Sequence, residues 1–289
     1  MMNQINLFIE LTRLKKPIGF MLLFWPCAWG LTLVYDFTEN LYNYFYFLIL
    51  FFLGSVLMRS AGCIVNDILD KEFDSKVFRT KNRPIASGKV SAMLATAYAA
   101  ILCFLALIVL LNFNFLTIIL ALGSMPLAFT YPLMKRFTYW PQLFLGITFN
   151  YGLILGWTSI NGQIDIAVIL FYIGAIFWTL GYDTIYGYQD IKDDEIIGLK
   201  STSIKFKGNA KKFLMICYSS LLIFFLIGGY FMNFNYIYFC LFIIPFIHLF
   251  FYQIKNFQID NPAKCLEIFK SNNLFGLIIL INILIVKNL

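Results

Sequence analysis

Charge is what this chain has least of. Only 13% of its 289 residues are Asp, Glu, Lys or Arg, while 61% are hydrophobic. Soluble domains carry about 25% charged residues. The composition therefore excludes a soluble two-domain enzyme and marks a polytopic membrane protein. Histidine is nearly missing: His248 stands alone, inside an apolar run. That leaves no basis for a Ser–His–Asp triad or a His-ligated metal centre, and His248 reads as a structural or helix-end residue. The six cysteines, Cys27, Cys63, Cys103, Cys217, Cys240 and Cys265, show no CxxC spacing. Most lie in apolar runs, so they read as buried, inert thiols rather than a disulfide frame or metal site. A cleavable signal pattern is also missing, because the first apolar stretch is long and continues into further spans. The net charge of +7 would suggest nucleic acid in a soluble protein. Here the placement of the charges matters more than their sum, so no nucleic-acid partner is expected, and no obligate protein partner is evident.

What is present is a series of nine apolar segments, near 18–36, 44–65, 91–112, 115–134, 139–160, 165–185, 212–232, 235–254 and 268–287. Each has about the 18–22 residues that cross ~30 Å of hydrocarbon as a helix. Pro126, Pro132 and Pro141 interrupt the fourth and fifth segments or their junction. Twenty of the 22 basic residues fall in the amino-terminal segment and alternate connections; Arg59 and Lys287 are the exceptions. The opposite connections, near 37–43, 113–114, 161–164 and 233–234, hold no Lys or Arg. The positive-inside rule then puts the basic side in the cytoplasm. The expectation is an all-α, multi-pass protein of the cytoplasmic membrane, one domain over 1–289, with the lipid bilayer as its surroundings.

Two long connections on the basic side carry acidic motifs. Asn66, Asp67, Asp70 and Asp74 fall within roughly 100° of arc on a helix. Far downstream, Asp183, Asp190 and Asp194 are spaced i, i+7, i+11 and share a stripe. One reading is a solvated helix end whose carboxylates meet loop lysines such as Lys71 and Lys76. The other is a site for Mg²⁺ and a polyphosphate between the two faces. Gathered like charges raise one another's pKa unless a cation joins them, and hard oxygen ligands suit Mg²⁺. Arg79, Lys81, Arg83, Lys135 and Arg136 lie close in sequence and offer phosphate contacts, Arg as a fork and Lys as a point charge. Tyr131 shares a helix face with Lys135. Arg59 is the odd residue, a cation inside a span and therefore a functional candidate. Its partner is either Asp70 or a substrate carboxylate.

Together NDILDKEFD, RTKNRPIASG, YPLMKR and YDTIYGYQDIKDDEIIGLKST resemble the UbiA family of intramembrane prenyltransferases, over about residues 16–202. The specificity lies in the pairing of NDxxDxxxD with DxxYxxxDxxxD at this separation. The resemblance implies nine transmembrane helices around a central cavity, with Mg²⁺ bridging the motifs to an isoprenyl diphosphate. It implies metal ligands at Asn66, Asp67, Asp70, Asp74, Asp190 and Asp194, and catalytic roles for Asp70, Asp183 and Asp190. Arg79, Lys81, Arg83, Tyr131 and Lys135 would bind the diphosphate, and Arg59 the aromatic acceptor. The implied activity is transfer of a polyisoprenyl group to the ring of 4-hydroxybenzoate, in ubiquinone biosynthesis. Arg59 and the wording YDTIYGYQD favour that acceptor over a dihydroxynaphthoate or a porphyrin. A cation-coupled transporter is the rival from another class, but such sites lie near the bilayer midplane on broken helices. Residues 213–289 carry no distinctive motif.

Overall fold

The computed structural model describes residues 4–289, and every regular element among them is helical. A short α1 (Gln4–Thr12) precedes α2 (Ile18–Val34) and the long α3 (Leu41–Leu69). The single turn α4 (Lys71–Asp74) follows, then α5 (Ala92–Leu110), α6 (Phe115–Thr130), α7 (Met134–Phe137) and α8 (Pro141–Asn161). Next come α9 (Ile166–Gly187), the short α10 (Ile191–Ile197) and α11 (Thr202–Lys205), and α12 (Ala210–Phe231). Then α13 (Tyr236–Leu241) and α14 (Ile243–Phe246) run into a π-helical stretch, Ile247–Ile254, before α15 (Pro262–Lys287).

Eight helical stretches among the described residues are long and apolar enough to cross a membrane. The ninth apolar helix, α2, has 17 residues, a rise of ~25 Å, which falls short of the ~30 Å core. The expected prolines are absorbed in three ways. Pro141 takes the first position of α8, where its missing N–H is harmless. Pro126 lies inside α6, and Pro132 sits in the 3₁₀ turn that joins α6 to α7.

The helices start where short polar side chains cap them. Asn40 accepts from Tyr42 N, Ser91 from Leu94 N and Asn114 from Thr117 N. Packing between helices relies on small residues, because lipid provides no hydrophobic drive between them. A side chain on Gly30 would come within 2.0 Å of Leu153 O, and one on Gly156 within 2.3 Å of Cys27 O. These two glycines let the α2 and α8 backbones touch. Rings fill the centre: Trp29 lies 5.0 Å from Trp178, which lies 5.3 Å from Phe275. A buried polar chain ties four spans together, from Tyr218 OH to Gln253 Oε1 and on through Gln253 Nε2 to Asn272 Oδ1. Trp178 Nε1 donates to the same oxygen. Four of the six cysteines are buried, as their setting in apolar runs led one to expect.

Candidate active site at the motif end of the bundle

The last turn of α3 carries Asn66 and Asp67, and Asp70 ends it. The chain bends there into α4, which brings Asp74 back beneath the same face; Asp74 N bonds to Asp70 O at 2.8 Å. All three acids are buried, with 2%, 1% and 7% exposure for Asp67, Asp70 and Asp74. Buried carboxylates require cations or hydrogen bonds, and four basic residues from three parts of the chain supply them. Arg13, just past α1, donates to Asp67 Oδ1 at 2.5 Å. Arg83 bonds both Asp67 and Asp74, at 3.1 and 2.7 Å. Lys135 of α7 pairs with Asp70. Arg136 donates to Leu69 O at 2.7 Å and lies 3.6 Å from Asp70 Oδ1. Even so, burial outweighs the Arg83 charge at Asp74 and pushes its carboxyl above the usual range. The metal-free alternative of pairing with Lys71 and Lys76 does not occur: the partners are arginines and Lys135.

The second motif is held more loosely. Asp183 and Tyr186 lie in the last turns of α9. Asp190 starts α10 and Asp194 lies in its first turn. Arg79 grips both oxygens of Asp190 and also bonds Tyr186 OH at 3.4 Å. Asp183 and Asp194 have no ion pair among the described residues. Burial and the neighbouring Asp190 charge push Asp194 up to about 6, with Lys135 and Arg79 pulling the other way. Lys135 therefore faces both motifs: it pairs with Asp70 and its charge is felt at Asp194.

One helical turn and more below, Arg59 lies between α2, α3 and α8. Its guanidinium sits 5.4 Å from the centre of the Phe149 ring and against Gly19, where a side chain would come within 2.8 Å of Nε. Arg59 makes no ion pair among the described residues, and its buried Nε has no hydrogen-bond partner. Asp70, one of its two expected partners, is taken by Lys135. Tyr131 packs edge-to-face with Phe149, with ring centres 6.2 Å apart. Asp183 stands close enough to feel the Arg59 charge.

The fold therefore groups Asp67 and Asp74 on Arg83, Asp70 on Lys135, and Asp190 on Arg79 at the same end of the bundle, with Arg59, Tyr131 and Asp183 deeper. Lys81 stands apart: it is exposed and lies over the Phe78 ring at 4.7 Å. Asn66 makes no side-chain hydrogen bond among the described residues. Two participants escape sequence reasoning. Arg13 is one, and its only local sign is conformational: φ is +55°, in the left-handed region that an arginine seldom adopts. Phe149 is the other, one aromatic among 33 phenylalanines.

Mg²⁺ fits this donor set by chemistry, since hard carboxylate oxygens are gathered and Asp70 Oδ1 is buried with no hydrogen-bond partner. Among the described residues no three acids converge as a closed metal cage. Mg²⁺ seldom uses one; it binds through a few carboxylates together with substrate phosphates.

The sequence profile of the UbiA prenyltransferase family matches residues 23–278. The chain is 43% identical over 279 residues to the bovine protein named 4-hydroxybenzoate polyprenyltransferase, mitochondrial, covering 96% of this chain and 74% of that one. The human protein of the same name is 42% identical, with the same coverage. The rat protein is 49% identical over 72% of this chain, which spans only 55% of the rat protein's length. Among solved structures, an apo UbiA homologue from Aeropyrum pernix K1 superposes with a TM-score of 0.75 at 22% identity, over 92% of this chain and 97% of that one. A homologue from Archaeoglobus fulgidus, bound to GPP and Mg²⁺, gives 0.70 at 17% identity, over 97% and 100%. These two likenesses establish the fold.

Proposed function

The chain belongs to the UbiA prenyltransferase family, and from that premise we propose that it transfers a polyisoprenyl group from an isoprenyl diphosphate to the ring of 4-hydroxybenzoate. That is the reaction named in its curated relatives, and we place it within ubiquinone biosynthesis. One prenyltransferase domain over residues 1–289 carries it. The observation that supports this most is that Arg79, from the loop after the first motif, reaches Asp190 of the second, while Lys135 pairs with Asp70 and its charge is felt at Asp194, above an Arg59 with no ion pair among the described residues.

Asn66, Asp67, Asp70, Asp74, Asp190 and Asp194 are the residues that would hold Mg²⁺, and bound Mg²⁺ supplies positive charge to the departing diphosphate. Arg79, Arg83, Lys135 and Tyr131 bind the diphosphate oxygens, and Lys81 steers the anion from the rim. The allylic C–O bond breaks with its electron pair leaving on the diphosphate, and preorganised cations at that oxygen lower the barrier. The Phe149 and Tyr131 rings shield the allylic cation through their faces. Arg59 fixes the acceptor by its carboxylate, as a planar fork does best. A C–C bond then forms at the ring carbon beside the hydroxyl, and that carbon's proton is released. Asp183, close enough to feel the Arg59 charge and without an ion pair among the described residues, polarises the phenolic hydroxyl. Asp190 is held by Arg79 and serves the diphosphate end, as does Asp70 through Lys135.

The proposed location is the cytoplasmic inner membrane, with the acidic motifs on the side that collects the basic residues; the curated relatives are named mitochondrial, so charge placement alone supports this compartment. The test is an assay of the purified protein in lipid with geranyl diphosphate, Mg²⁺ and a panel of 4-hydroxybenzoate, a dihydroxynaphthoate and a porphyrin. Prenylated 4-hydroxybenzoate is the expected product. Turnover of another acceptor alone would replace the acceptor, and no product from any would overturn the reading.

A further inference from the structure

Away from the acidic motifs, a second recess opens at the same end of the bundle. Its volume is about 920 Å³, and its walls come from the segments around Lys207–Lys212 and Phe257–Pro262. These are the starts of α12 and α15 and the connection that follows the π-helical stretch. Three lysines line it, Lys207, Lys211 and Lys212, against one acid, Asp260. Lys207 is already held by Glu195 at 2.9 Å. Lys211 and Lys212 have no ion pair among the described residues. Both lie in the first turn of a 22-residue helix whose N-cap, Asn209, makes no side-chain cap. Cations at the positive end of a helix dipole are unfavourable, so the arrangement gains from an anion that answers both the lysines and the bare amides.

The apolar surroundings decide what kind of anion. Phe257 and Ile259 form part of the wall. One turn along α12, at i+4 from each lysine, stand Met215 and Ile216, exposed at 46% and 54%. Ile223 and Ile227, at 53% and 40%, extend that apolar strip along the span. A charged head beside the recess with an apolar tail along the helix matches this layout, whereas a free phosphate would use only the lysines.

We propose that the recess between α12 and α15 binds the phosphate headgroup of an anionic membrane phospholipid, with Lys211 and Lys212 on the phosphate and an acyl chain along Met215, Ile216 and Ile223. The site is separate from the prenyl-transfer site and does not depend on the reading of that site. Basic recesses between span ends are suited to such headgroups.

The test is native mass spectrometry of the full-length protein released from nanodiscs of equal dioleoylphosphatidylglycerol and dioleoylphosphatidylcholine. The intact protein should retain phosphatidylglycerol in preference. The double variant Lys211→Gln/Lys212→Gln should lose that preference by roughly tenfold or more, as removal of two such charges implies. Lys15→Gln/Lys16→Gln, on the same basic side but outside the recess, should keep it. Equal loss in both double variants would mean a diffuse surface field and overturn the site. Met215→Ser/Ile216→Ser should weaken retention with the lysines intact. If instead millimolar inorganic phosphate displaces the lipid fully and the apolar variant retains it unchanged, the recess is a phosphate site and the lipid assignment fails. Unchanged unfolding temperature in each variant shows that folding is not the cause.

Discussion

The two acidic motifs sit at the same end of the bundle yet are built oppositely. In the first, three buried aspartates are each clasped by a cation from a different part of the chain: Arg13, Arg83 and Lys135. In the second, Asp190 alone has a partner, Arg79, whose side chain is 39% exposed. Asp183 and Asp194 have no ion pair among the described residues. The first motif is thus an architectural device as well as a chemical one, since its ion pairs tie α1, α3, α7 and the 79–83 loop together. The second is under-neutralised and accessible, which is the condition for receiving a cation with its diphosphate. Removing charge from the first should damage the fold as well as the chemistry; removing it from the second should damage the chemistry alone.

The largest effect follows at Asp190. Asp190→Asn should reduce turnover by at least a hundredfold, the scale of losing one preorganised electrostatic contact, while thermal unfolding in detergent barely moves. Asp67→Asn should do the reverse in emphasis. It leaves Arg13 and Arg83 short of a partner in a buried place, at a stability cost of about 2–5 kcal/mol, read as a lowered unfolding temperature. If the two variants exchange these behaviours, the contrast between the motifs is wrong.

Arg59 sharpens the comparison from below. Arg59→Ala should raise the apparent KM for 4-hydroxybenzoate about thirtyfold or more while that for the diphosphate changes little. Arg59→Lys should rescue only in part, because a point charge cannot replace a fork. A shift in the diphosphate constant instead would assign Arg59 to the phosphate site.

Acid pH should separate the motifs more gently. Asp194 is raised to about 6 in the folded chain, so the metal-free folded chain holds this proton more tightly than the unfolded chain does. Stability without Mg²⁺ should therefore fall as pH rises from about 4 through 6, the window between unfolded and folded values. With Mg²⁺ the sign reverses for activity, because ion and proton compete for the same oxygen. The acidic limb of the rate profile should move to lower pH as Mg²⁺ is raised; a limb that ignores Mg²⁺ would remove Asp194 from the ligand set. The smallest effect is expected at Lys81, which lies over Phe78 away from the cluster. Lys81→Ala should change kcat/KM by no more than about twofold at physiological salt, where exposed charges are screened.

Much of this was readable from residues because both signals are local. Apolar runs mark helices by length, and the eight span-length helices from α3 onward fall within about six residues of the hydropathy segments; the short α4, α10 and α11 lie in the connections and match no apolar run. The acidic faces are read from spacing alone. Arg79 and Lys135 were legible only as nearby cations. Which acid each would meet is decided across 111 and 65 residues of chain, and spacing holds no record of that. Arg13 reaches Asp67 across 54 residues and looks in sequence like one more positive-inside charge. The shortness of α2 was hidden too: the apolar run reads on through Tyr35, but the backbone turns extended at that residue and ends the helix.

The central claim is that both motifs hold one metal–diphosphate group, and a double-mutant cycle tests it most directly. Mg²⁺-dependent binding of geranyl diphosphate would be measured for the wild type, Asp70→Asn, Asp190→Asn and the double variant. Residues that act as one unit are strongly non-additive. The account predicts that the double variant binds about as poorly as the weaker single variant. Losses that simply add would mean two independent sites and would contradict it.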